Sequence, residues 1–347
     1  MSFEQNFTVE RSRVPLTKED FTSDQMVKWC AGCGNHAILS AVNNVFPKIG
    51  YKKENFCLVS GIGCSSRFPY YVNTYGFHGI HGRAYPIASG IKMANPDLSV
   101  WLASGDGDSM AIGGNHFIHI IRRNLDVNIM LFNNEIYGLT KGQYSPTTAL
   151  GKVTKTSPYG TIEHPFNPGE LVLGAQGTFF ARGVDTNPKL LTEIMFEAAK
   201  HDGTSVIEIL ENCVIFADGT HKHITGKENK DDTQIILKNG EPMLFGKEND
   251  KGIKLGQNGL EVVKIGENGV KIQDLLIHDM YQQDPGIHLM LAKMNPPEYP
   301  KALGVIRAAM FPTYDDLMVE QIDYAIKNSK ITCVDELLNS GDTWEIN

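Results

Sequence analysis

No apolar run in this 347-residue chain approaches the roughly 18 residues that a membrane-spanning helix needs, which excludes a helical anchor within it. The opening stretch, MSFEQNFTVERSRVPLTKED, lacks the apolar core of a secretory signal. There is no Lys/Arg-rich block. The 32 Lys and Arg stand against 40 Asp and Glu for a formal net charge of −8, which disfavours nucleic acid as a main ligand. Cysteines are few and scattered, at Cys30, Cys33, Cys57, Cys64, Cys213 and Cys333. A chain of this length buries a core without disulfide staples, so these absences lead us to expect a soluble protein of the reducing cytoplasm, with no membrane or nucleic-acid partner. In that setting thiols lean toward metal-binding or catalytic roles.

Most of the informative pattern lies between residues 28 and 219. Asn35 to Phe46 carries apolar residues at helical spacing with Asn35 available as a cap, and Phe56 to Ser60 (FCLVS) reads as a buried strand ending in the turn GIGCSS. Leu98 to Ser104 is a strand, GGNHFIHIIRRN a helix opening on glycines, and Val127 to Phe132 a strand. That is a βαβ unit, and the sheet should be parallel. A helix over Leu190 to Lys200 and a strand over Ser205 to Leu210 follow. Residues 1–27 read as a polar arm. Residues 220–295 are rich in N-G and K-N-G turns between short alternating runs and read as a hairpin-rich insertion, with 296–347 as a mixed tail. The expected fold class is α/β, a parallel-sheet diphosphate-binding domain with a hairpin-rich C-terminal appendage.

Two polar clusters end successive strands, Gly105-Asp106-Gly107-Asp108 and Asn133-Asn134-Glu135-Ile136-Tyr137-Gly138. Open α/β sheets bind ligands at the carboxyl ends of their strands. Glycines admit a pyrophosphate, and a carboxylate with an amide oxygen offers hard ligands to Mg2+. Either cluster alone is ordinary turn chemistry; after successive strands of one βαβ unit they are far more specific. The pair of cysteines in Trp29-Cys30-Ala31-Gly32-Cys33-Gly34 is compatible with a zinc site, a redox dithiol, a disulfide or a corner of an iron–sulfur cluster. Cys57 and Cys333 sit inside apolar stretches and read as small buried hydrophobes, and His36, His116 and His119 as structural histidines.

GDG followed after 25 to 30 residues by NN resembles the pattern of thiamine diphosphate enzymes. The ordered set W-C-A-G-C-G, G-I-G-C-S-S, H-G-R-A, G-D-G-D and Y-G-L-T-K-G-Q, from about Lys28 to Cys213, resembles the β subunit of a 2-oxoacid:ferredoxin oxidoreductase. The resemblance implies one [4Fe–4S] cluster on Cys30, Cys33, Cys64 and Cys213, which a four-Cys zinc site with two close pairs or a helix-start dithiol fits less well. It implies Mg2+ on Asp106, Asn134 and the Ile136 carbonyl. Thiamine diphosphate is then expected against Ile62, Gly63, Cys64 and Ser65, against His81, Gly82, Arg83 and Ala84, and against Gly105, Gly107, Asp108, Gly138, Leu139 and Thr140.

The implied reaction is coenzyme A-dependent oxidative decarboxylation of a 2-oxoacid with ferredoxin as electron acceptor, reversible at low potential. Pyruvate-specific relatives tend to carry an N-T-G type loop, so Y-G-L-T-K-G-Q implies 2-oxoglutarate, with Lys141 facing the distal carboxylate. Arg67 stands where many relatives have lysine and could hold the 2-oxo acid carboxylate as a bidentate fork, and His81 completes the candidate catalytic set. An α subunit is expected to supply the glutamate that activates the thiamine and most of the coenzyme A site. A pyruvate or broad-specificity enzyme, a non-redox thiamine lyase and a pure electron-transfer subunit are the alternatives.

Overall fold

The computed structural model describes residues 9–346; the first eight residues of the expected arm lie outside it. The strands are Phe56–Ser60 (β1), Tyr75–His78 (β2), Ser99–Gly105 (β3), Asn128–Asn133 (β4), Phe179–Val184 (β5), Ser205–Leu210 (β6) and Gln234–Ile236 (β7). Leu244–Phe245 (β8), Lys251–Gly256 (β9), Gly259–Lys264 (β10) and Lys301–Ala308 (β11) follow. Eight of them form one sheet in the order β2-β1-β3-β4-β6-β5-β11-β7. Neighbours from β2 to β5 are parallel. β11 runs antiparallel to β5 and parallel to β7, so one edge of the sheet is mixed.

Every residue of β1, β4, β5 and β6 is buried, the pattern of parallel strands covered on both faces. The helices Asn35–Ile49 and Pro188–Ala198 cover one face, where Ile38, Phe46 and Leu191 meet Trp101 and Phe132. The helices Ala84–Ala94 and Gly114–Arg123 contribute to the other face, where Tyr85 and Phe117 meet Val59, Leu102 and Leu131. The helix 114–123 ends at Asn124 in the left-handed region (φ 54°). Arg122 and Arg123 in its last turn complement the helix dipole.

Asn35 is not a cap. It is the first helical residue, Gly34 holds the cap position, and the Asn35 amide donates to the Cys33 sulfur at 3.3 Å. The segment 220–295 contains the expected antiparallel hairpins, as the three-stranded sheet β10-β9-β8. The same segment and the tail also each give a strand, β7 and β11, to the main sheet. The arm lies on the body through a Thr22–Val72 bridge, and its Phe21 is fully buried against Phe46 and Phe56.

Strand order positions the site. β1 is flanked by β2 on one side and β3 on the other, which makes the gap beyond their carboxyl ends a topological switch point. The turns after β1, β3 and β4 all open there.

Candidate functional site

A cleft of about 570 Å³ sits at this switch point. Its walls come from the turn after β1 (Ile62 to Ser65), from His81, from the turn after β3 (Gly105 to Asp108) and from the loop after β4, between Asn134 and Gln143. The walls fit closely because glycines stand where no side chain has room. A Cβ on Gly61 would lie 1.9 Å from Asp108 Oδ2, and one on Gly107 would lie 2.2 Å from the Tyr137 ring.

Asp108 braces these walls. Its Oδ1 accepts from the backbone N–H of Ile62 (3.2 Å) and of Gly82 (2.7 Å), and its Oδ2 accepts from Ser104 (2.8 Å). The Oδ1 also takes the Nδ1 proton of His81 at 2.6 Å, leaving Nε2 as the ring nitrogen not bound to Asp108. Asp106, 2% exposed, is held through Oδ2 by the hydroxyls of Ser145 (2.5 Å) and Thr147 (2.6 Å). Burial pushes its carboxyl up to about 6. A metal cation in contact would favour the charged form.

A second cavity of about 220 Å³ adjoins the first and is lined by Cys30, Cys33, Cys64 and Cys213 together. None of the six cysteines is in a disulfide. A Cβ placed on Gly138 would lie 3.5 Å from the Cys213 sulfur and 3.8 Å from that of Cys64, so glycine there keeps the space between these thiols open. Trp29 closes the cavity from the side, donating its indole N–H to the Cys64 carbonyl at 2.7 Å. Burial, with the Glu211 carboxylate nearby, pushes the Cys33 thiol up to about 12 and the Cys64 thiol to about 11. Thiolates here need a cationic centre, and an iron–sulfur core supplies one.

Among the described residues no three His, Cys, Asp or Glu side chains are grouped so as to hold a metal ion. The donor chemistry nonetheless suits the implied groups. A four-iron cluster spreads its thiolates over separate irons, and magnesium takes a carboxylate, an amide oxygen and a carbonyl together with phosphate oxygens.

The cleft lining gathers fourteen of the residues singled out from sequence: Ile62, Gly63, Cys64, Ser65, His81, Gly105, Asp106, Gly107, Asp108, Asn134, Ile136, Gly138, Leu139 and Thr140. Gly82, Arg83 and Ala84 are not in the lining. Gly82 donates its N–H to Asp108, Arg83 bonds the Gly82 and Ile112 carbonyls, and Ala84 opens a helix fully buried. Arg67 lines the cysteine cavity instead of the cleft. Lys141 lines neither; it is exposed at φ 77° in the tight turn closed by Gly142 N–H to the Tyr137 carbonyl.

Sequence reasoning missed Tyr137 and Gln143 in the lining, Ser145 and Thr147 behind Asp106, and the fully buried Glu211. The only signal for Glu211 was its place between a strand and Cys213.

Residues 61–209 match the thiamine pyrophosphate enzyme, C-terminal TPP-binding domain. Over 349 aligned residues the chain is 45% identical to the 2-oxoglutarate oxidoreductase subunit KorB of Mycobacterium tuberculosis, covering 99% of this chain and 92% of that protein. The chain belongs to the 2-oxoglutarate:ferredoxin oxidoreductase β-subunit family. A second relative of this β-subunit family, the 2-oxoglutarate synthase subunit KorB of Methanothermobacter thermautotrophicus, is 39% identical over 237 residues, 67% of this chain and 78% of that one. The fold of the 2-oxoglutarate:ferredoxin oxidoreductase from Magnetococcus marinus matches with a TM-score of 0.77 at 29% identity. That match covers 97% of this chain and all of the other, whose structure carries 2-oxoglutarate, coenzyme A and succinyl-CoA.

Proposed function

We propose that this β subunit works with an α subunit to convert 2-oxoglutarate and coenzyme A to succinyl-CoA, CO2 and a proton, passing two electrons singly to two ferredoxins. One observation supports the redox reading above the others: the cysteine cavity and the cleft share a wall made of Cys64, Asn134, Gly138 and Leu139. A non-redox thiamine enzyme has no use for a four-thiol cavity behind that wall, and an electron-transfer module has no use for the cleft.

In this reading Asp106, the Asn134 amide oxygen and the Ile136 carbonyl hold Mg2+ against the diphosphate, and Cys30, Cys33, Cys64 and Cys213 hold the [4Fe–4S] cluster. When bound, thiamine diphosphate supplies the nucleophilic carbon and electron sink for decarboxylation, and the cluster accepts single electrons. The chain's residues position and exclude. Ser145 and Thr147 hold one oxygen of Asp106 in place. Tyr137 packs over Gly107 and donates its hydroxyl to the Gly107 carbonyl at 3.1 Å. His81, held by Asp108, presents its second nitrogen to the bound reactants; Arg67 would reach the 2-oxo acid carboxylate from the adjoining cysteine cavity, and Lys141, exposed on the loop beside the cleft, would take the distal carboxylate.

The glutamate that activates the aminopyrimidine comes from the α subunit. Glu135, a local alternative, accepts from Thr220 at 3.1 Å and lies 3.8 Å from His221, directly beside Asn134 at the proposed diphosphate end. The test is anaerobic viologen reduction dependent on 2-oxoglutarate and coenzyme A, with and without the α chain. Activity is expected only in the pair, and Lys141→Ala should lower turnover of 2-oxoglutarate more than of pyruvate. Turnover by this chain alone, or an equal loss on both substrates, would contradict the assignment.

A further inference from the structure

Glu211 is the first residue after β6 and has no exposed surface. Its backbone N–H donates to the Asn133 carbonyl at 3.0 Å, which ties the end of β6 to the end of β4. Its side chain spans the shared wall. Oε2 accepts from the Asn134 amide at 3.1 Å, and Oε1 lies 3.5 Å from the Cys33 sulfur. The Asn134 amide is thereby oriented, since its oxygen accepts from the Ile136 N–H at 3.3 Å.

Among the described residues no Lys, Arg or His forms an ion pair with this carboxylate. Burying a carboxyl group without a cationic partner is costly, whereas Glu208, buried within β6, has Arg182 at 2.6 Å. A Cβ on Gly34 would lie 2.7 Å from the Glu211 Cγ and 2.2 Å from Asp185 Oδ2, so the last glycine of WCAGCG is what gives the Glu211 side chain room.

We infer that Glu211 is a positioning residue common to both cavities, orienting Asn134 for the magnesium diphosphate through one carboxyl oxygen while facing the cluster ligand Cys33 through the other. Filling the cleft is then felt at the cluster. This rests on the thiamine and cluster reading above and adds a link between the two sites. Partners that orient metal ligands are worth about 10- to 100-fold in metal affinity. Coupling between two sites is reciprocal.

The experiment uses the anaerobically purified α–β complex, wild type and Glu211→Gln, which keeps the shape and exchanges one carboxyl oxygen for an amide nitrogen. Calorimetry reads Mg2+-dependent thiamine diphosphate binding, and a redox titration followed by electron paramagnetic resonance reads the cluster midpoint with and without thiamine diphosphate. In the wild type, thiamine diphosphate should move the midpoint. In the variant, affinity should fall at least about tenfold, the midpoint should move because the group facing Cys33 has changed, and the shift on binding should shrink. A wild-type midpoint indifferent to thiamine diphosphate overturns the inference even if the variant fails to fold. A variant that changes only affinity or only potential overturns it too. A wild-type complex with no iron–sulfur signal, or with no Mg2+-dependent thiamine binding, would instead remove the functional reading beneath it.

Discussion

In the proposed magnesium site Asp106 is held by two hydroxyls, and those hydroxyls come from a distant loop. Ser145 and Thr147 both bond its Oδ2, and Thr147 also donates to the Asn133 amide oxygen at 2.9 Å. Replacing them together, by Ser145→Ala and Thr147→Val, should leave the fold intact and weaken Mg2+–thiamine diphosphate binding by about tenfold or more. Calorimetric titration checks this, and an unchanged affinity would show that the hydroxyls are incidental. Asp106 itself was legible, because GDG after a strand carries its own context. Ser145 and Thr147 were not, since nothing local to S-P-T-T indicates that it folds onto a residue 39 positions earlier.

A second residue-scale consequence concerns stability. His201 is buried beside the Thr178 hydroxyl at 2.8 Å, and burial pushes its imidazole from 6.5 down to about 4. Between those values the unfolded chain binds more protons than the folded one, so stability rises with pH through that window and is lost as pH falls. The shift corresponds to about 3 kcal/mol from this one side chain. Denaturant unfolding across the window should show a smaller rise of stability with pH in His201→Gln than in the wild type; an identical pH dependence would contradict the assignment.

At the scale of elements, the site is three strand-end turns locked to one another. Gly61→Ala would drive a methyl into Asp108, which holds the turns after β1 and before the helix 84–94 as well as Ser104. The expected cost is about 1–3 kcal/mol with loss of cofactor affinity, read by thermal unfolding and thiamine titration. A variant of normal stability and affinity would mean that the turns are not interlocked.

The buried strands with plain apolar runs, such as FCLVS and VNIMLF, were legible within a residue or so. β5 and β11 were not, because FFARGV and KALGVIRA contain charged residues and glycine. Arg182 in β5 sits directly across from Glu208 in β6 and is fully buried against it, so a charge that argues against a strand in sequence is cancelled by its neighbour in the sheet. β2 is a four-residue exposed edge with too little pattern to read.

At the scale of the whole molecule, the body and its C-terminal arm differ sharply. All described residues from Glu320 to Ile346 are exposed, among them Ile322, Tyr324, Ile326, Val334, Leu338 and Trp344. Truncation after Val319 removes little buried surface and should change the stability of this chain by under about 1 kcal/mol; a larger loss in denaturant unfolding would show that the arm packs on the body in solution. The body's own logic is the joining of a four-cysteine cavity to a diphosphate cleft through Cys64, Asn134, Gly138 and Leu139. The most direct test of that union is electron paramagnetic resonance on the anaerobically purified α–β complex after addition of 2-oxoglutarate and coenzyme A. A reduced [4Fe–4S] signal should appear in the wild type and in Cys57→Ser and be lost in Cys64→Ser. Zinc in place of iron, or an undiminished signal in Cys64→Ser, would contradict the account.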